Sequence, residues 1–458
     1  MTAAGDRVAA AQRAADAHLD EFVAELQALC RIPSRRWEPD AMLAAADMVV
    51  ALVKRHGGRA RTIPWERSFP YVLGEIAGPA GAPRLLHFNH YDVEIEPAGD
   101  DGDLLHPPFG AELHDGALYA RGVADDKGPL LSRIHAAAAY RLAGLEPPVT
   151  VRFMAEGKQR LDSPGMPSFV AAHADELAAD GILWENSWVD EHGRPLLKLG
   201  EKGLLALEVR CSTLRRDGSS QNAAVLDNAA WRLVDALATL RAPDGRIALP
   251  GFADAVRPLT DETLALIAAV PFEVDRLTAA MGVDGLAGGV TAREAAVRVR
   301  TVPTLTITGL ASGDAGSGLT LSLPGSARAK LEFRLVADQD PAAVLVGLRA
   351  HLDHHGFADL ELHELGRTRP HLTPPDDPFV RLVAAAAERA YGAPAILEPA
   401  TPLVGNQGCF AATGTPIVGI GVGRAWSASD PNQHVLIEDY RRAVHHVIEI
   451  MGAMAHGA

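Results

Sequence analysis

KGPLLSRIHAAAAYRLAG, residues 127–144, reads as a helix that stops on a glycine, and it lies between two short apolar runs, RLLHFN (84–89) and TVRFM (150–154). Runs of that length are typical of buried strands, and a third, GILWE (181–185), follows. Strands alternating with helices argue for an α/β layer with a mostly parallel central sheet. Upstream, 8–31 and 40–56 read as helices, the second running into Gly57-Gly58, a natural stop. Near the other end, PFVRLVAAAAERAYG (378–392), PIVGIGVG (416–423) and IEDYRRAVHHVIEIMGAM (437–454) resume the pattern as helix, buried strand and helix.

The pattern changes between these parts. LLALEVRC (204–211) reads as a strand, and NAAWRLVDALATL (228–240) sets Trp231, Val234, Leu237 and Leu240 at helical spacing. TLTIT (304–308) and LTLSL (319–323) alternate with period two. In ARAKLEFRLV (327–336), Ala327, Ala329, Leu331, Phe333 and Leu335 point one way and Arg328, Lys330, Glu332 and Arg334 the other, as in an antiparallel sheet with one wet face. Asp340 then caps a helix with Pro341 at its first position and Gly356 as its stop. The order of elements resembles a ferredoxin-like β-α-β-β-α-β unit. The expected organisation is a discontinuous α/β domain of residues 1–205 and 372–458, with an α+β domain, 206–371, inserted in it.

At 458 residues the chain is too long for one compact core. Hydrophobic residues at 48% and charged residues at 22% exclude a disordered, collagen-like or coiled-coil chain. Acids outnumber bases 58 to 43, a surface that repels phosphate backbones, so no nucleic-acid partner is expected. Cys30, Cys211 and Cys409 lie far apart with no CxxC pair, which points to a reducing, cytoplasmic setting. The first residues carry alternating charges where a signal peptide has an apolar run, and no stretch is apolar enough for a membrane span, so neither export nor a membrane anchor is expected.

In open α/β sheets ligands bind beyond the carboxyl ends of the strands. Those ends read His90-Tyr91-Asp92, Glu156-Gly157-Lys158-Gln159 and Glu185-Asn186, joined by Asp125-Asp126 before the 127–144 helix and by Ser429–Asn432 after PIVGIGVG. Each alone is more often structural: an Asp pair before a helix serves as an N-cap, and a His-x-Asp is common. His, Asp and Glu converging on one rim instead make a metal-site constellation.

HYDV, LYARGVADDKGP, FMAEG and FRLVADQDP together resemble the di-zinc metallopeptidase family of carnosinase, aminoacylase, acetylornithine deacetylase and succinyl-diaminopimelate desuccinylase, and most of all its dipeptidase branch. The resemblance runs from the first helix to IEDYRRAV. It implies a metallopeptidase-type catalytic domain and makes the insert a lid that pairs with a second subunit. It also implies that Asp125 bridges two metals, that His90 and Glu185 complete one metal site, and that Asp92 orients His90. Arg334 would hold a substrate carboxylate, with Asn222 and the loop of Gly405, Asn406 and Gln407 also on the substrate.

The departures from that family fall on the chemistry. Its E-G-E-E-x-x-G-S reads here Glu156-Gly157-Lys158-Gln159-Arg160-Leu161-Asp162-Ser163, which puts Lys158 at the general base and Gln159 at a ligand of the second metal. Ser429 stands where that metal's histidine is expected, and Ser219 replaces a carbonyl-polarising histidine. Asp92, Asp125, Glu185 and Lys158 sum to zero charge with one divalent ion and to +2 with two, so at most one divalent metal, zinc first, or none is expected. The leading expectation is non-standard amide or acyl chemistry on a small peptide or N-acyl amino acid, with Lys158 and Asp92 in the machinery. A ligand-binding pseudo-peptidase comes second and ordinary two-metal dipeptidase action third.

Overall fold

The computed structural model describes residues 3–66, 68–93, 104–157, 163, 165–185, 187–314, 316–424 and 432–456. The chain divides into two compact units: Met1–Gly200 with Thr373–Pro399 and Phe410–Ala458, and Glu201–Leu372 with Ala400–Cys409. The segment Ala400–Cys409, left with the larger domain in the sequence reading, goes with the smaller unit because its backbone is bonded there. Lys202 N–H donates to Leu403 O at 2.9 Å, and Arg334 Nη1 donates to Pro402 O at 3.1 Å.

The larger unit is built on an eight-stranded mixed sheet. Its order is Arg59–Ile63, Tyr71–Ile76, Thr150–Glu156, Arg84–His90, Gly181–Trp184, Ile417–Gly419, Leu196–Lys198, Ile396–Glu398. The four central strands, Thr150–Glu156 to Ile417–Gly419, are all parallel, and antiparallel pairs occur nearer the edges. Parallel strands are buried on both faces, which is why these segments read as continuous apolar runs rather than alternating ones. The helix Gly128–Leu142 is buried along its whole length from Gly128 to Tyr140 and packs against Ile437–Met454. The expected 8–31 helix is two, Ala3–Ala17 and Leu19–Cys30, broken at His18. Asp20 and Glu21 fall in the first turn of the second helix, where its amide dipoles favour a new start. The Pro39–Arg55 helix does end at the glycine pair: Gly57 takes φ +83°, and the Gly58 amide returns to Val53 O.

In the smaller unit an antiparallel sheet runs Thr304–Ser312, Ser326–Leu335, Gly203–Ser212, Glu361–Thr368. With Ala229–Thr239 and Pro341–His354 as its crossover helices, this is the ferredoxin-like order. Ala327, Ala329, Leu331, Phe333 and Leu335 are buried with Leu233 and Leu348. Two expectations hold only in part here. Of the stripe along the Ala229–Thr239 helix, Leu240 is buried and Leu237 packs on the core with Ala229, Leu233 and Ala236, but Trp231 is 66% exposed. LTLSL forms only the two-residue strand Ser322–Leu323, paired with Gly218–Ser219, so Leu319 and Leu321 are exposed. Three helices between Asp261 and Thr301 also enlarge the unit beyond the simple β-α-β-β-α-β pattern. Among the described residues no helix is long and apolar enough to cross a membrane.

Candidate functional site

The carboxyl ends of the central strands carry the chemistry. His90 closes the Arg84–His90 strand and is fully buried. Its Nδ1 lies 2.9 Å from Asp92 O and 3.1 Å from Asp92 Oδ1, which leaves Nε2 facing Asp125 Oδ1 at 3.2 Å and Glu185 Oε2 at 3.9 Å. Burial alone would depress the imidazole pKa. The Asp92 bond and the charges of Glu185, Asp92 and Asp126 outweigh burial and push it up to about 9. An imidazole with one nitrogen fixed by an acid and the other turned to buried carboxylates is the donor arrangement that a divalent metal uses.

Asp126 was not among the site residues expected from the sequence, and the structure gives it a part. Its Oδ2 accepts from Asn89 Nδ2 at 2.6 Å and from the His90 amide at 3.1 Å, tying the loop to the strand end. His90, Asp126 and Glu185 each present a donor atom within 4.8 Å of the others, so this rim is one of two places among the described residues able to hold a metal ion. The donor set of one imidazole and oxygen anions fits zinc or a similar ion.

Arg133 is the other residue that sequence reasoning passed over. Fully buried on the Gly128–Leu142 helix, it donates through Nη1 to Phe88 O at 2.6 Å, Asn89 Oδ1 at 2.7 Å and Leu183 O at 3.1 Å. Through Nη2 it reaches Trp184 O at 2.5 Å and Ile420 O at 3.1 Å. One guanidinium thus pins the ends of three neighbouring strands, two of which lead directly to His90 and Glu185. The signal available was three polar residues, Ser132, Arg133 and His135, inside the otherwise apolar run Pro129–Ala139.

Neighbouring contacts fix the loops. Gly122 takes φ +85° with no room for a Cβ beside Val93, and its amide donates to Gln433 Oε1, so the Gln433 strip holds the loop that presents Asp125. Lys127 is buried with Nζ on Ile32 O at 2.7 Å, and burial pushes its pKa down to about 8. Glu156 is buried beneath the rim, accepting from Tyr71 Oη at 3.1 Å and from the Ser163 hydroxyl, and burial pushes it up to about 7.

His90, Asp92, Asp125 and Glu185 are therefore brought together. Lys158, Gln159 and Ser429 lie outside the described residues. Arg334, Ser219, Asn222, Gly405, Asn406 and Gln407 belong to the smaller unit. There Arg334 pairs with Glu332 at 2.7 Å and remains 39% exposed, while Ser219 and Asn222 are exposed and Asn406 and Gln407 buried.

The model of peptidase family M20/M25/M40 matches residues 88–452, which span the rim and most of both units. The chain belongs to that family. The M20 family metallo-carboxypeptidase Sso-CP2 from Sulfolobus solfataricus superposes with a TM-score of 0.84 at 30% identity, covering 95% of this chain and 99% of that one. The Beta-Ala-His dipeptidase of Homo sapiens is 27% identical over 366 residues, 74% of this chain and 70% of the relative. The Cys-Gly metallodipeptidase dug1 of Schizosaccharomyces pombe is 25% identical over 401 residues, 82% and 83% of the two chains. An α/β peptidase domain with an α+β insert, and a dipeptidase-like metallopeptidase ancestry, are what this M20 chain shares with them.

Proposed function

We propose that this M20 chain acts on the amide or acyl group of a small peptide or N-acyl amino acid at a site holding one divalent metal, zinc first. The observation that carries this reading is the buried His90 with Nε2 facing both Asp125 and Glu185, and Asp126 within reach, in a chain whose Lys158-Gln159-Arg160 segment carries no carboxylate. None of those three side chains can serve as a carboxylate base or as a carboxylate ligand for a second ion, and Ser429 supplies no imidazole.

Charge supports a single ion. The acids buried around the rim are Asp92, Asp125, Asp126, Glu156 and Glu185, and the buried cations nearby besides His90 are Arg121, Lys127 and Arg133. One divalent ion in place of the His90 proton balances them. A second ion would leave two positive charges in excess, and more as Glu156 takes up a proton near neutral pH, and uncompensated buried charge is costly.

His90, Asp125 and Glu185 would hold the ion, which when bound supplies Lewis-acid polarisation of a carbonyl. Asp92 fixes the histidine tautomer through Nδ1. Lys158 takes the family's base position as a cation, suited to pairing with a carbonyl oxygen or a leaving anion rather than to activating water. Arg334 is the candidate for a ligand carboxylate. We further infer a homodimer through the smaller unit, whose edge strand Thr304–Ser312 is paired on one side only and exposes Ile307 and Leu310.

Metal analysis of wild-type and Glu185→Gln protein side by side should differ by one equivalent, with no binuclear signature on cobalt loading. Dipeptides and N-acetyl amino acids should be hydrolysed slowly. Lys158→Glu, Gln159→Glu and Ser429→His together should raise both metal content and hydrolysis. Two equivalents lost on Glu185→Gln, with brisk dipeptide hydrolysis by the unmodified chain, would overturn the reading.

A further inference from the structure

The second metal-competent group lies elsewhere in the larger unit, on its helices, and the mechanism does not use it. Glu25 comes from Leu19–Cys30, His56 caps Pro39–Arg55, and His135 sits within Gly128–Leu142. His56 Nε2 and His135 Nε2 both lie 2.9 Å from the same atom, Glu25 Oε2. The other carboxylate oxygen is taken: Arg55 Nη1 donates to Oε1 at 2.9 Å. The other nitrogen of His135 is taken as well, with Tyr440 Oη 2.7 Å from Nδ1. Phe22 stacks on the His135 ring at 4.0 Å and meets the His56 ring edge-on. Two of the three donors are thus oriented by an outer hydrogen-bond partner, and one oxygen and two ring nitrogens are drawn together.

We propose that Glu25, His56 and His135 form a structural site for zinc or a similar divalent ion, separate from the rim at His90. Three observations carry the proposal. First, the three donor atoms lie within 4.8 Å of one another. Second, both imidazoles address a single carboxylate oxygen instead of one each, which is a convergence around a point and not a pair of independent hydrogen bonds. Third, the outer partners match those of a metal-bound histidine and carboxylate: a hydroxyl behind one imidazole and a guanidinium behind the acid.

The dimensions fit. Tetrahedral zinc with bonds of about 2.0–2.1 Å sets its donors about 3.3 Å apart, so each nitrogen-to-oxygen spacing of 2.9 Å has to open by only a few tenths of an ångström. His135 is wholly buried, whereas the Glu25 and His56 side chains each keep 12% exposure, giving an ion a way in and a water the fourth position. The consequence is mechanical. An ion here clamps two N-terminal helices to the helix that follows Asp125-Asp126-Lys127 and carries Arg133.

The test uses the full chain with the rim disabled by His90→Asn and Glu185→Gln, stripped by chelator, dialysed, and titrated with Zn²⁺ and Co²⁺. One tight equivalent, a tetrahedral cobalt spectrum and a saturable rise in Tm of several degrees are expected. His56→Gln, at a partly exposed helix end, should abolish all three while leaving the metal-free Tm close to its parent. Glu25→Gln is the second variant and should weaken zinc binding at least tenfold. No bound equivalent in the rim-disabled chain would overturn the proposal and would show these side chains to be a hydrogen-bond network alone. An equivalent unaffected by both His56→Gln and Glu25→Gln would overturn it too. Neither result bears on the rim, whose ion is counted by the Glu185→Gln difference.

Discussion

Arg133→Met removes a guanidinium from a dry interior while nearly conserving its volume. The variant takes away the donors now on four strand-end carbonyls, those of Phe88, Leu183, Trp184 and Ile420, and on the Asn89 side chain. It also takes a buried positive charge away from Asp126 and Glu185. A hydrogen bond to a charged group contributes about 1.5–3 kcal/mol, but five bonds from one side chain are not additive. Breaking a buried charge network typically costs about 3–5 kcal/mol, so a loss of about 4 kcal/mol is expected for the larger unit. That corresponds to a Tm lower by roughly 10 °C. Arg133→Lys keeps the charge but replaces the planar fork by one point, and should recover less than half of the loss. Urea denaturation of metal-stripped protein reads the stability, and zinc titration reads the rim. Because the pinned strands lead to His90 and Glu185, affinity at the rim should fall with stability in Arg133→Met. A variant within about 1 kcal/mol of wild type, binding zinc unchanged, would refute the idea that this side chain holds the strand ends.

Two further perturbations follow from burial. His446 and His135 are pushed down to about 4, mainly by burial, so both are neutral in the folded chain while the unfolded chain protonates them near 6.5. Each histidine should therefore withdraw up to about 3 kcal/mol from metal-free protein as pH drops from about 6.5 towards 4, while Glu156, held up at about 7, returns a comparable amount between about pH 7 and 4.5; the urea midpoint should fall further between about pH 7.5 and about pH 5 in wild type than in His446→Phe, and equal changes in the two would contradict this. Gly421 follows the Ile417–Gly419 strand, and a Cβ there would stand 1.8 Å from Ser187 O, so Gly421→Ala must displace backbone two residues from Glu185. A cost of about 1–3 kcal/mol and weaker zinc binding at the rim are expected, and an alanine variant of full stability would show that the loop has room to yield.

How far the sequence carries the reader depends on which interaction is local. Caps are local, and Asn228, Asp340 and Asp377 each accept from a backbone amide two residues on, as their positions before helical patterns suggest. Period-two burial in 327–335 is also local, because a strand's two faces alternate whatever its partners are. That His90, Asp92 and Glu185 share a rim was legible for a related reason, since parallel strands announce themselves as apolar runs and polar residues at or just past their ends have one place to go; Asp125, in the loop before a helix, was placed with them by the family resemblance. LTLSL shows the limit: alternation makes a strand only when an edge is available to pair with, and here only Ser322–Leu323 finds one. Trp231 shows another, since a helical stripe records spacing and not which stripe meets the sheet. Asp126 and Arg133 fail for a third reason. Asp126 differs from Asp125 only in which way the turn points it, and Arg133 counts as a surface residue until its helix is known to be enclosed on every side. Glu25, His56 and His135 stand 31 and 79 residues apart in sequence. Only the packing of three helices brings them to one point, so no spacing motif could have announced them. Polar residues inside an all-round apolar helix were the one available clue: Arg133 and His135 share the Gly128–Leu142 helix, and both anchor something buried that other parts of the chain bring to it.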